Sequence, residues 1–236
     1  MNTTEQQALF AITATVIFSF LYFLLLDGMK RYGKSERKQE LTAKYLNRKG
    51  SGFLLLGLIP GWLFWMFFGF GPAAAGLQWG GTGDILSWVL WASAFFIVLN
   101  VLNSRNPGIR AMYPELRMRS WDQGGLMLTA GGWLLYLAGY EYLFRGILLF
   151  TCYEAFGLWP AVVINLALYS ALHLPKGMKE ALAAFPIGAL LCYLTLESHS
   201  ILAAIFIHAV QAISCEFLCI WRNPEMKFKF TKTEVI

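Results

Sequence analysis

The sequence predicts an all-α, polytopic transmembrane bundle of about seven helices. Three observations carry that prediction. Of 236 residues, 57% are hydrophobic and only 14% charged, against about 45–50% and about 25% in ordinary soluble domains. A soluble globule of this composition would lack polar surface to face water, and so apolar a chain is not disordered. Second, the apolar residues fall in runs close to the roughly 20 residues that cross a bilayer. Third, the basic residues cluster between those runs rather than within them.

The runs follow in order. The first, Ala8 to Leu26, contains no charge, and the segment Asp27 to Ser51 after it is strongly basic. The N-terminus lacks a basic stretch before this run and a small-residue cleavage site after it. It therefore reads as a retained span rather than a removable signal peptide. The second run, Gly52 to about Phe70, includes Pro60, which membrane helices tolerate when neighbours satisfy the freed carbonyl. Pro72 to Asp84 is Gly-rich and free of Lys and Arg, and a third span covers about Ile85 to Leu102. Gln123 to Gly157 is too long for one straight span, since about 35 helical residues reach about 52 Å against a core of about 30 Å. An interfacial start, a break near Gly131-Gly132 and a span centred near Glu141 are expected there. The last three spans are about Leu158 to Leu174, Ala181 to Leu196 and Ile201 to Trp221, with a basic tail from Arg222. No internal repeat is visible, and the run lengths exceed what barrel strands need.

Eighteen of the 19 Lys and Arg fall in segments that alternate with basic-free ones. Residues 1–7, 72–84, 151–157 and 197–200 contain neither Lys nor Arg. By the positive-inside rule the chain runs N-out, C-in; the expected location is a bacterial-type inner membrane, crossed several times. A re-entrant fifth segment would change the count, but the basic tail opposes it. Basic clusters between spans mark cytoplasmic loops, so nucleic acid is not an expected partner. Cys152, Cys192, Cys215 and Cys219 show no CxxC spacing and read as buried thiols.

The remaining basic residue, Arg145, lies in an apolar run four positions after Glu141, on one helix face. Intramembrane ionisable groups cost about 3 kcal/mol each on insertion scales and usually serve function. The pair is either a self-neutralising packing contact or a site in which Arg145 keeps Glu141 ionised. His173 ends the fifth run and His208 lies in the seventh, with Gln211 near it. The third histidine, His199, falls in a short loop. Two His and a Glu on three helices can converge in a bundle core. They would then activate water, or hold a metal with an open position. HExxH is absent, which excludes the common zinc-protease helix. Glu216 reads as interfacial, and Lys176 with Glu180 as an i,i+4 pair at a helix start with gating as a secondary role.

These residues also carry a resemblance. Tyr140-Glu141-Tyr142-Leu143-Phe144-Arg145-Gly146 resembles the E-E-x-x-x-R-G motif of the CAAX protease and bacteriocin-processing (CPBP, or Abi) family. Tyr169 to His173 is similar to its F-x-x-x-H motif, with Tyr for Phe. Ser200 to His208 is similar to the approach to its H-x-x-x-N motif. The resemblance covers about residues 123 to 221, and it implies an intramembrane endopeptidase acting on a membrane-associated peptide or protein. It implies Glu141 as general base, here held ionised by Arg145, His173 sharing the activated water, and His208 with an Asn at the oxyanion, a place that Gln211 is expected to take in this chain. The cofactor stays open: none, or a divalent metal such as zinc held by Glu141, His173 and His208.

Two positions depart from the pattern. Tyr140 replaces the first Glu, as in a subset with an aromatic before a single Glu. Ala212 replaces the Asn, with an amide one position earlier at Gln211. One residue turns a side chain about 100° around a helix. The sequence thus divides into an N-terminal unit of three helices (1–122), a catalytic core (123–221) and a basic tail (222–236). The alternative is a non-catalytic relative, an immunity or peptide-binding scaffold. A transporter lacks the paired broken helices and repeats that such folds use.

Overall fold

Hydrophobic length decides the architecture. The computed structural model describes residues 2–27, 37–80 and 83–229. Lys30, Arg31, Lys34 and Lys232, counted above, lie outside them. Among the described residues six helices are long and apolar enough to cross a membrane: Thr3–Leu24, Lys38–Phe68, Asp84–Asn103, Leu158–Lys176, Met178–Ser198 and Leu202–Arg222. Their outer faces carry exposed Trp62, Trp65, Phe67, Trp91 and Trp159, an arrangement suited to lipid and not to water. The chain is an integral multi-pass membrane protein.

The helices are α1 (Thr3–Asp27), α2 (Lys38–Phe53), α3 (Ile59–Phe68), α4 (Gly83–Asn103), α5 (Pro107–Met112), α6 (Gln123–Glu141), α7 (Phe150–Phe156), α8 (Leu158–Ala171), α9 (Met178–Ser198) and α10 (Leu202–Arg222). A π-helical turn, Leu54–Leu58, joins α2 to α3, and another, Tyr142–Leu149, joins α6 to α7. Two-residue strands β1 (Ser120–Trp121) and β2 (Lys227–Phe228) pair in parallel and tie the tail to the loop before α6.

The second span starts earlier than the hydropathy suggests. Leu41, Tyr45, Lys49 and Gly52 are buried on α2. Spaced four and three apart, they form one stripe, which packs on α6. Much of the expected basic loop is therefore helix. In the π-helical turn after α2, Gly57 lets the backbone touch that of α6 at Gly139, since a Cβ on Gly57 would lie 2.7 Å from the Gly139 Cα. The break expected at Gly131-Gly132 does not occur. α6 runs through both glycines because Gly132 packs against Tyr45. The irregularity falls instead at Tyr142–Leu149, immediately after Glu141.

The loops segregate by charge. Gln78 Nε2 donates to the His199 carbonyl (3.1 Å), Ser200 Oγ to the Gln78 carbonyl (2.6 Å), and the Ile201 amide to the Gly76 carbonyl (2.9 Å). This end gathers loops without Lys or Arg. At the other end Lys38 pairs with Asp122 (2.7 Å), Lys49 with Glu115 (2.9 Å), and Lys176 Nζ donates to Tyr113 Oη (3.1 Å). Glu216 belongs to this second group. It is fully buried and accepts the Glu115 amide (2.9 Å), which holds the loop before α6 against α10. Lys176 likewise pairs with Tyr113 rather than Glu180. The four cysteines are free and buried.

Candidate active site

Asp122 caps α6, its Oδ1 accepting the Gly125 amide at 2.7 Å. From this fixed start the helix carries Trp133, Tyr140 and Glu141 into the bundle. The π-helical turn that follows is held from outside: Asn165 Nδ2 on α8 donates to the Phe144 carbonyl (2.7 Å), and Thr151 Oγ1 to the Ile147 carbonyl (2.8 Å). Such turns widen the helix and recur at functional sites. Arg145 lies inside this one and is fully buried, with its NH1 3.1 Å from Glu141 Oε2. Its guanidinium also lies 4.2 Å from the Tyr169 ring centroid.

The other carboxylate oxygen faces α10. His208 Nδ1 and Glu141 Oε1 are 2.5 Å apart. Glu141 is fully buried, whereas 12% of the His208 side chain is exposed. His208 thus lies between the carboxylate and open space. That space is a cavity of about 60 Å³, lined by His173, His208, Gln211, Tyr113, Trp133 and Lys176 among others. It has room for ordered water, which needs roughly 10–15 Å³ on this measure and two or more polar partners.

His173 reaches the same cavity from the end of α8. Pro175 helps end that helix at Ala171, because it has no N–H to give the Ala171 carbonyl and its ring crowds that carbonyl. The terminal carbonyls then need donors, and His173 Nδ1 supplies one to the Tyr169 carbonyl at 2.8 Å. With Nδ1 donating, Nε2 is the nitrogen with a free lone pair. The cavity thus gathers His173, His208 and Gln211, with Glu141 and Arg145 in the wall behind. Among the described residues, however, no three of His, Cys, Asp and Glu are placed to hold a metal ion. Both Glu141 oxygens are already taken by Arg145 and His208.

Where the family pattern has its first Glu, Tyr140 stacks on Phe144 (centroids 4.6 Å apart) and meets His208 edge-on at 5.9 Å. Among the described residues its hydroxyl has no hydrogen-bond partner. Where the pattern has Asn, Ala212 packs with Trp133 and Leu137, while Gln211 lines the cavity. Sequence reasoning missed Asn165, Trp133, Tyr113 and Asn100, whose Nδ2 donates to the Gln211 carbonyl at 2.7 Å. Asn165 had a visible signal as an amide inside an apolar run. The aromatic residues had none.

No curated protein and no solved structure matches the chain. Residues 123–213 match the family model described as type II CAAX prenyl endopeptidase Rce1-like, and the segment contains Glu141, Arg145, His173, His208 and Gln211. Over this segment, somewhat under half of the chain, the protein is similar to the Rce1-like family.

Proposed function

We propose that the protein is an intramembrane endopeptidase that hydrolyses a peptide bond in a membrane-associated peptide or protein. The observation that carries this reading is the bridging of Glu141 between Arg145 and His208, directly behind a polar cavity that both histidines enter. Arg145 keeps Glu141 anionic. The carboxylate holds the Nδ1 proton of His208, so that Nε2 is the base. Water in the cavity gives its proton to His208 Nε2 as its oxygen attacks the substrate carbonyl. Glu141 stabilises the imidazolium that forms. His173 Nε2 orients the water, and the Gln211 amide donates to the tetrahedral oxyanion. Collapse returns the proton from His208 to the leaving amine. His208 thereby takes the place that the motif resemblance gives to Glu141 as the direct base, which is supported by its exposure to the cavity and the full burial of Glu141.

A membrane-associated substrate is supported by a second, apolar groove of about 330 Å³, lined by Phe53, Trp62, Trp65, Tyr142 and Ile205. It borders the helix stretch that carries Glu141. The charge segregation supports seven crossings, N-out and C-in, with the continuous helix 123–156 as the fourth.

The test uses the purified full chain in lipid nanodiscs. Peptides bear a fluorophore and quencher around a cysteine alkylated with a farnesyl or hexadecyl chain. The reading expects cleavage by the wild type and none by Glu141→Gln. Binding without cleavage would instead establish the non-catalytic scaffold, which Tyr140 and Ala212 otherwise favour.

A further inference from the structure

We infer that Arg110, Arg117 and Arg222 form a binding site for the phosphate of an anionic membrane phospholipid at the basic end of the bundle. Arg110 lies in α5, Arg117 in the loop before α6, and Arg222 ends α10. None of the three lines the cavity of the candidate active site. One Arg117 nitrogen, Nη2, donates to the Arg110 carbonyl (3.1 Å) and the Ala111 carbonyl (2.6 Å), which fixes the loop against α5. Leu116 and Met118, on either side of Arg117, belong to the buried cluster that contains Ile220 of α10. The three guanidinium groups thereby gather round Cys219, one turn before Arg222, within electrostatic reach of its buried sulfur.

Three cations held together call for an anion, and among the described residues none forms an ion pair with them. The nearby carboxylates are engaged elsewhere. Asp122 pairs with Lys38, Glu115 with Lys49 and Arg48, and Glu216 accepts the Glu115 amide. Arg222 Nε is buried and, among the described residues, has no hydrogen-bond partner, a costly state for a donor. Phosphate answers this need, because the donor fork of arginine matches two phosphate oxygens at once. Depth selects a lipid phosphate over a soluble one. Arg222 closes a helix long and apolar enough to span the membrane. Trp221 beside it is 68% exposed, and the Arg222 guanidinium lies 5.9 Å from its ring centroid. An outward tryptophan at the end of a span marks the level of the headgroups, and the cytoplasmic leaflet is the anionic one. A phosphate held by all three arginines ties α5 and the loop before α6 to α10, and so steadies Tyr113, which walls the cavity.

The experiment reads the unfolding midpoint of the full chain in neutral-detergent micelles as lipid is added. Phosphatidylglycerol should raise the wild-type midpoint in a saturable way, and phosphatidylcholine and glycerol phosphate should not. Arg222→Gln and Arg110→Gln should each weaken the apparent affinity about tenfold, the value of one charge-assisted hydrogen bond. Each variant is compared with its own lipid-free midpoint, so a loss of stability alone does not imitate the effect. Lys179→Gln, which removes the same charge at the start of α9, should leave the affinity unchanged. A loss in Lys179→Gln equal to that in Arg222→Gln would show diffuse attraction to a basic surface and overturn the site, as would unchanged affinity in both arginine variants. An equal shift with glycerol phosphate overturns the lipid as occupant, and the absence of any shift with phosphatidylglycerol overturns the whole proposal.

Discussion

Glu141 and His208, 67 residues apart in the chain, meet at 2.5 Å inside the bundle. Two helices are thereby locked at the depth where the chain has fewest ways to stabilise a charge. The far side of the same carboxylate is held by Arg145 at 3.1 Å. One carboxylate therefore satisfies a cation and an imidazole together, and the imidazole alone of the three reaches the cavity.

The first prediction separates this arrangement from the two-glutamate pattern. Glu141→Gln keeps the shape but removes the charge that fixes the His208 tautomer, so kcat should fall on the order of 10³-fold or more. Tyr140→Phe removes a hydroxyl that has no partner among the described residues, so kcat should stay within about twofold. Peptide cleavage rates in nanodiscs decide it. An inactive Tyr140→Phe beside an active Glu141→Gln would sink the assignment.

How far the sequence reveals this site follows from what each residue does. Arg145 stood out because a cation in an apolar run must have a partner, and the partner four residues back was the right one. His173 and His208 stood out by scarcity. The position of α2 was not legible, because hydropathy cannot distinguish a basic loop from a helix that buries Leu41, Tyr45 and even Lys49 in one stripe while Lys38 and Lys44 stay exposed. The π-helical turn was not legible either. It depends on a donor from another helix, Asn165, which no local propensity records. The full burial of Glu216 was not legible either, since it depends on the Glu115 amide of a distant loop.

The second prediction concerns Asn165. Its amide holds the Phe144 carbonyl, and its own Oδ1 accepts from Cys192 Sγ at 3.3 Å. Asn165→Leu conserves volume and leaves that buried carbonyl unpaired, at about 1–3 kcal/mol. Because the turn starts one residue after Glu141, the Glu141–His208 distance should change as well. Thermal unfolding should shift downward and kcat should drop while KM is kept. A lower melting temperature with unchanged kcat would show that Asn165 acts on stability alone.

The third prediction concerns the loop before α6. Burial opposes ionisation of Glu115, but Lys49 and then Arg48 outweigh it and hold its carboxyl down to about 2. A depressed carboxyl contributes stability that is fully present above its unfolded value near 4.5 and is lost as pH falls toward 2. Glu115→Gln removes this contribution and leaves Lys49 buried without its counter-ion, at roughly 3–5 kcal/mol. Melting temperatures from pH 7 down to pH 3 should fall for the wild type, and the variant should be lower at pH 7 with a flatter dependence. Identical pH profiles would show that Glu115 does not carry the acid sensitivity.

The last prediction tests the continuity of α6 through its paired glycines. A Cβ on Gly131 meets nothing within 4 Å, and glycine inside a helix costs roughly 0.5–1 kcal/mol relative to alanine. Gly131→Ala should therefore raise stability by about that amount, chiefly by restricting the unfolded chain. Gly132, about 100° further round the helix, faces α2. A Cβ there would lie 2.5 Å from Tyr45 Cε1 and 2.9 Å from its hydroxyl oxygen. Tyr45 cannot simply swing aside, because its hydroxyl donates to the Thr129 carbonyl at 2.8 Å and its ring is buried between α2 and α6. Gly132→Ala should cost about 1–3 kcal/mol as overpacking. Tyr45→Leu should recover part of that cost in the double variant, because the two sites touch and their effects do not add. Melting curves of the four proteins in one detergent read the result. A hinge at these glycines would instead make both alanines harmless to stability and harmful to turnover.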